Sequence, residues 1–127
     1  MNITIYKSFS RSLHQTWKEL EKNIELSIFQ QFNWQKNWFK YIGEKQNYKL
    51  NIIIIEDKNS NKVILPFCVK KKFGFKVLSF LGGNQTDYNS VIYSKIISKI
   101  ENKAIIWDQI QNQLEDFDFI ELRNLIN

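Results

Sequence analysis

Apolar positions along the chain change period several times, and each change predicts an element. Ile3 and Ile5, with Phe9 beyond them, suit a short opening strand. Leu13, Trp17, Leu20 and Ile24 then recur every three or four residues, one stripe of a helix. Ser12 with Gln15 fits a capping box at its start, each side chain satisfying a free backbone donor. Trp34, Trp38, Tyr41 and Ile42 line one face of a second helix, with Asn33 as its cap and Gly43 as its stop. The period then shortens to two. Residues 48–55 are apolar on both faces in their second half, which predicts a central place in a sheet. A polar turn over 57–61 leads into 62–71, where Val63, Leu65, Phe67 and Val69 share a face. Pro66 cannot donate a ladder hydrogen bond, so an edge or a bulge is expected there. Phe73-Gly74 turns the chain into a third strand over 75–81.

Beyond the Gly82-Gly83 pair, residues 91–93 suit a short strand. Ser98 with Glu101 makes a second capping box, followed by the stripe Ile100, Ala104, Trp107, Ile110 and Leu114. Residues 117–122 read as a last strand, with Phe117 and Phe119 pointing one way and Ile120 and Leu122 the other. A strand apolar on both faces needs cover, so self-association through this edge is expected. The order β-α-α-β-β-β-(β)-α-β predicts an α+β domain around a mostly antiparallel sheet. Its 127 residues, without repeats or a low-complexity linker, are expected to form one domain over 1–127.

Composition narrows the function classes. Apolar content of 43% and aromatic content of 15% exclude a disordered chain. A net charge of +5 invites a nucleic-acid or membrane partner. Neither partner is expected from it, because the charge is nearly all lysine, scattered along the chain, with only Arg11 and Arg123 to supply the planar fork that reads bases and phosphates. One cysteine, Cys68, excludes an internal disulfide and a cysteine-rich zinc site, and one histidine, His14, removes most metal and triad chemistry. The first nine residues lack an apolar signal core, and the run 52–55 is too short to span a bilayer, so a reducing cytoplasmic setting is expected.

Candidate chemistry centres on Leu81-Gly82-Gly83-Asn84-Gln85-Thr86-Asp87-Tyr88, where a strand ends in two glycines and a carboxylate and a phenol follow side by side. The pair Asp87-Tyr88 suits an acceptor site, the carboxylate attracting an ammonium and the phenol donating a proton. The same pair also suits a loop carboxylate capping amides beside a half-buried tyrosine. Trp34 and Trp38 can stack on a sugar ring or simply pack in the core. Gln30, just before the second helix, can contact a ligand or support the turn. Lys70, Lys71, Lys72 and Lys76 flank the Phe73-Gly74 turn and serve either to attract a phosphate or an anionic polymer or as edge protection at a solvated hairpin end. Cys68 reads as a small packing residue and His14 as solvated.

Several of these segments together carry a resemblance. Phe29-Gln30-x-x-x-Trp34 with Trp38, then Leu65-Pro66-Phe67, then Phe80-Leu81-Gly82 followed by Asp87-Tyr88, resemble the ordered motifs of CelD-like acetyltransferases. That family, associated with cellulose and polysaccharide biosynthesis, belongs to the GNAT superfamily and is related to FemAB-type transferases. Trp107, Phe119, Glu121 and Leu122 fit its next helix and strand loosely, and Ile28 and Gln35 depart from its pattern. The resemblance implies the N-terminal, GNAT-like half of a longer enzyme that transfers an acyl group to an amine or hydroxyl acceptor. It implies acetyl-CoA or another acyl-CoA as co-substrate, held by a second half in cis or in trans, and Asp87, Tyr88, Gln30 and Trp34 as substrate-binding residues. GNAT enzymes hold the CoA pyrophosphate with a Gln/Arg-x-x-Gly-x-Gly/Ala loop at a helix start. The glycines here, Gly43, Gly74, Gly82 and Gly83, make no such pattern, so this chain is not expected to bind acyl-CoA tightly. The alternative is a catalytically silent GNAT-like binding module.

Overall fold

The computed structural model describes residues 2–23, 26, 28–58, 60–82, 92–93, 103–114 and 117–121. The elements follow the expected order. Strand β1 (Asn2–Tyr6) leads to helix α1 (Arg11–Asn23) and, through a single tight turn (Ile28–Gln30), to helix α2 (Phe32–Trp38). Strands β2 (Lys49–Glu56), β3 (Lys62–Lys72) and β4 (Phe75–Phe80) form the meander. Strand β5 (Ile92–Tyr93), helix α3 (Lys103–Gln113) and strand β6 (Phe119–Glu121) complete the described chain. The path across the sheet is β1-β2-β3-β4-β6, with β5 beside β3. Every pairing is antiparallel except β4 with β6. The fold is α+β with a mixed sheet.

The two-faced strands set the layers. Leu50, Ile52 and Ile54 of β2 join Ile64 and Cys68 of β3 in a buried cluster with Leu13, Trp17 and Leu20 of α1 and Phe32 and Trp38 of α2. Ile53, Ile55, Val63, Leu65, Phe67 and Val69 occupy the other face with Ile110 and Leu114, at the end of α3. Helices therefore cover both faces, because residues i and i+1 of a strand point to opposite sides.

The helix starts differ from those expected. Ser10, not Ser12, caps α1: its hydroxyl accepts a bond from the Leu13 amide at 3.2 Å. Ser12 instead lies 3.1 Å from the Tyr6 hydroxyl. Helix α2 begins two residues before the expected Trp34, and the carboxylate of Glu21 in α1 accepts the Phe32 amide, so a distant side chain replaces Asn33 as the cap. The buried face of α2 is consequently Phe32, Gln35 and Trp38, while Tyr41 is exposed. A π turn over Phe39–Gly43, closed by Glu44 N–H to Phe39 C=O at 2.8 Å, shifts the helical phase. The Trp38 ring packs so close to Gly43 that a Cβ there would lie 2.7 Å from it.

The β3–β4 hairpin turns on two residues, Phe73 (φ 53) and Gly74 (φ 83), between paired Lys72 and Phe75. Two positive φ values in a two-residue loop are those of a type I′ turn, which favours Asn-Gly. Glycine suits its place. Phenylalanine does not, and it is fully exposed.

Gly74→Ala should therefore lower unfolding stability by about 1 kcal/mol, because a Cβ is strained at this φ. Phe73→Asn should raise it by a similar amount, on the order of 0.5–1 kcal/mol, since Asn tolerates the left-handed region. Urea titrations of the two variants beside the parent measure both signs.

Candidate functional site

Pro66 explains how the strand exit is built. Strand β3 is paired on both sides, so the proline is not at an edge. Its carbonyl accepts the Leu81 amide at 2.9 Å. In a strand the nitrogen and carbonyl of one residue face the same side, so the missing donor also faces Leu81. The neighbouring line stops there. Strand β4 pairs with residues 67–72 of β3, and β5 resumes opposite Val63 and Ile64 on the same side. Gly82, buried and with φ 107, turns the chain out between them. The expected bulge is thus an interruption of the partner strand line rather than of β3 itself.

This arrangement brings two of the sequence-marked segments into register. Phe67 is opposite Phe80, with ring centroids 5.2 Å apart, next to the Pro66–Leu81 hydrogen bond. Leu81 lies fully buried in the cluster that holds Trp17 and Phe32. Asp87 and Tyr88 fall outside the described residues, as does the Ser98–Glu101 capping box.

Gln30 and Trp34 have structural surroundings. Gln30 is buried, and its backbone carbonyl accepts the Trp17 indole N–H at 3.1 Å. Trp34 is half-buried, edge-on to Phe29 at 5.1 Å between centroids. Trp38 is the core tryptophan of the pair, packed edge-on to Tyr48 at 5.3 Å. Buried Gln35, which the apolar pattern does not mark, donates its amide to the Phe29 carbonyl and leaves its Oε1 without a partner. His14 is exposed but stacks on Phe32 at 4.6 Å.

A second surface lies at the hairpin end of the sheet. An open groove of about 390 Å³ is lined by Asn47, Lys49, Val69, Lys70, Lys71 and Lys76. Register explains the gathering: Lys49 is opposite Val69, and Lys71 is opposite Lys76. Lys70 borders the groove, but its ammonium lies on the other face, 4.6 Å from the Tyr48 ring centroid, and there Lys72 reaches Glu121 at 3.9 Å. Among the described residues no carboxylate pairs with Lys49, Lys71 or Lys76. Of the groove's four lysines, sequence reasoning found Lys70, Lys71 and Lys76 and missed Lys49, which only strand register brings in.

Beside the groove's floor, Asn51 is fully buried opposite Phe67. Lys7 donates to its Oδ1, while its Nδ2 has no partner. Cys68 is buried too, its sulfur 3.6 Å from the Ser79 hydroxyl and 3.7 Å from the Phe80 carbonyl. Burial pushes its thiol up to about 12 from 9.0, against the smaller opposing effect of the Ser79 hydrogen bond. Such a thiol is a packing group, not a nucleophile. Among the described residues no group of three His, Cys, Asp or Glu side chains could hold a metal ion, and no helix is long and apolar enough to cross a membrane. No family model, curated protein or solved structure matches the chain.

The Cys68 thiol should be inert to thiol reagents near neutral pH and react only as the protein unfolds. Because its folded pKa lies above the unfolded value, its contribution is unchanged below pH 9.0 and stability falls between 9.0 and about 12. The unfolded thiol ionises in that window while the folded one stays neutral, a slope of up to about 1.4 kcal/mol per pH unit. Denaturant melts across this range should show the stability of the parent falling more steeply than that of Cys68→Ala, by up to that slope.

Proposed function

We propose that this chain is the acceptor-side half of a GNAT-type acyltransferase, transferring an acetyl or other acyl group from acyl-CoA to an amine or hydroxyl, in the manner of CelD-like enzymes of polysaccharide biosynthesis. One observation carries the reading: the three segments of the resemblance converge. Leu65-Pro66-Phe67 and Phe80-Leu81-Gly82 lie side by side across β3 and β4. Leu81 shares a buried cluster with Trp17, whose indole is tied to Gln30 of the third segment. The chain that leaves at Gly82 carries Asp87 and Tyr88. In this reading Asp87 attracts a cationic acceptor and Tyr88 moves a proton at the attacking group. Gln30 and Trp34 support the acceptor side, and a partner half with a glycine-rich loop holds the acyl-CoA.

A second reading, a catalytically silent GNAT-like binding module, is favoured by the lysine groove, whose cations suit holding an anion more than moving a proton.

Calorimetry of the chain alone with acetyl-CoA should show no saturable binding at low micromolar concentration, and such binding would overturn the half-enzyme reading. With a CoA-binding half present, Asp87→Asn and Tyr88→Phe should each lower transfer by roughly 10²-fold or more while leaving the melting temperature nearly unchanged. Lower melting temperatures with unchanged transfer would mark both residues as structural, since an abandoned buried hydrogen-bond partner costs on the order of 1–3 kcal/mol.

A further inference from the structure

The β3–β4 hairpin is built against its own stability. Phe73 takes a left-handed conformation that its Cβ resists, and all of its surface is exposed. Lys71 stands directly across from Lys76, a like-charge pair in register. Backbone strain that the local structure does not need is a reason to look for a function. The turn projects into open space: a Cβ built at Gly74 meets no atom within 4 Å. Behind it Phe75 is 50% exposed and packs edge-on to Phe119, itself 56% exposed, with ring centroids 5.3 Å apart.

Charge surrounds this apolar tip. Residues 70–76 hold four lysines and no acid. Lys71 and Lys76 lie on one face with Lys49, and Lys70 and Lys72 on the other, so cations flank the tip on both sides of the hairpin. Of the described carboxylates, Glu121 faces Lys72, and Asp118 accepts the Lys76 backbone amide at 2.8 Å.

The geometry points to the β3–β4 hairpin as a docking finger for an anionic lipid bilayer, with Phe73 entering the interface and Lys49, Lys70, Lys71, Lys72 and Lys76 meeting the acidic headgroups. A projecting aromatic with lysines behind it has the two signals that reversible membrane attachment needs: apolar insertion and attraction to anionic lipid. The lysine stems can lie along the apolar boundary while their ammonium groups stay with the phosphates. A nucleic acid would use the same charge but draws less from this surface, which offers no arginine among the described residues. A protein partner would draw less from this tip as well, because the cores of protein interfaces are depleted in lysine, which flanks the ring on both faces. This surface does not depend on the transferase reading.

The test is sedimentation of the full chain with vesicles at low ionic strength. Vesicles of equal parts phosphatidylcholine and phosphatidylserine should carry the protein down, vesicles of phosphatidylcholine alone should not, and added salt should release it. Phe73→Asn should weaken binding by roughly tenfold or more, the share expected from one aromatic ring. That variant should fold at least as well as the parent, so lost binding cannot be assigned to lost folding. Phe73→Trp should restore or strengthen binding, and Lys71→Glu with Lys76→Glu should abolish it while circular dichroism stays unchanged. Three outcomes would overturn the proposal: no sedimentation with anionic vesicles, full binding by Phe73→Asn, or release by millimolar inorganic phosphate or a single-stranded oligonucleotide at matched ionic strength.

Discussion

The constraint on which this structure depends is that its two central strands are apolar on both faces. Ile52 and Ile54 point one way from β2, and Ile53 and Ile55 the other, and all are buried. Burying one such side chain is worth about 1.5–3 kcal/mol relative to leaving it in water, so neither face can stay open. The first two helices cover one face, and the other waits for α3. That division also accounts for the one parallel pairing. Strand β5 runs in the direction of β4, since both are antiparallel to β3, and a chain that returns to a parallel strand needs a crossover, here α3 before β6.

Within that frame the proline has a specific consequence. A proline in a central strand normally leaves an acceptor of its neighbour without a donor. Here the neighbour is Leu81, and the chain departs at the next residue. The ladder loses a bond where the strand line ends in any case, so β3 keeps its full pairing with β2 from Lys49↔Val69 to Glu56↔Lys62. The sheet is not cut in two at this interruption, because β3 pairs with β4 on one side of it and β5 on the other.

The strands and their order were legible because period-two alternation, a polar turn and an aromatic-glycine turn are local signals. The caps were less so. Serine at 10 and at 12 look alike in sequence, and only the fold shows that Ser12 faces Tyr6. The face of α2 was misjudged because Glu21, eleven residues earlier, starts that helix, and because the π turn inserts an extra residue into the phase. Gln35 and Asn51 look like surface residues to any apolar pattern, yet each is buried with a partner outside its own element, the Phe29 carbonyl and the Lys7 ammonium. The proposed site divides in the same way. Its strand exit was visible as glycines after an apolar run, whereas Lys49 enters the basic groove only through register.

Distance along β3 separates the two surfaces. From Pro66, where the neighbouring line is interrupted, to Lys72 at the hairpin is six residues of extended chain, roughly 20 Å at about 3.3 Å per residue. A finger engaged at the hairpin therefore leaves the strand exit clear, and a ligand at the exit leaves the lysines clear. From Pro66 to Val69 the strand is buried on both faces, which makes that stretch a rigid support, while Lys70 to Lys72 emerge from the packed sheet. The unfavourable turn residue is tolerable because the same strands are buried farther in, from Val69 and Val77 onward: a strain of about 1–2 kcal/mol at Phe73 is comparable to the burial of a single core isoleucine.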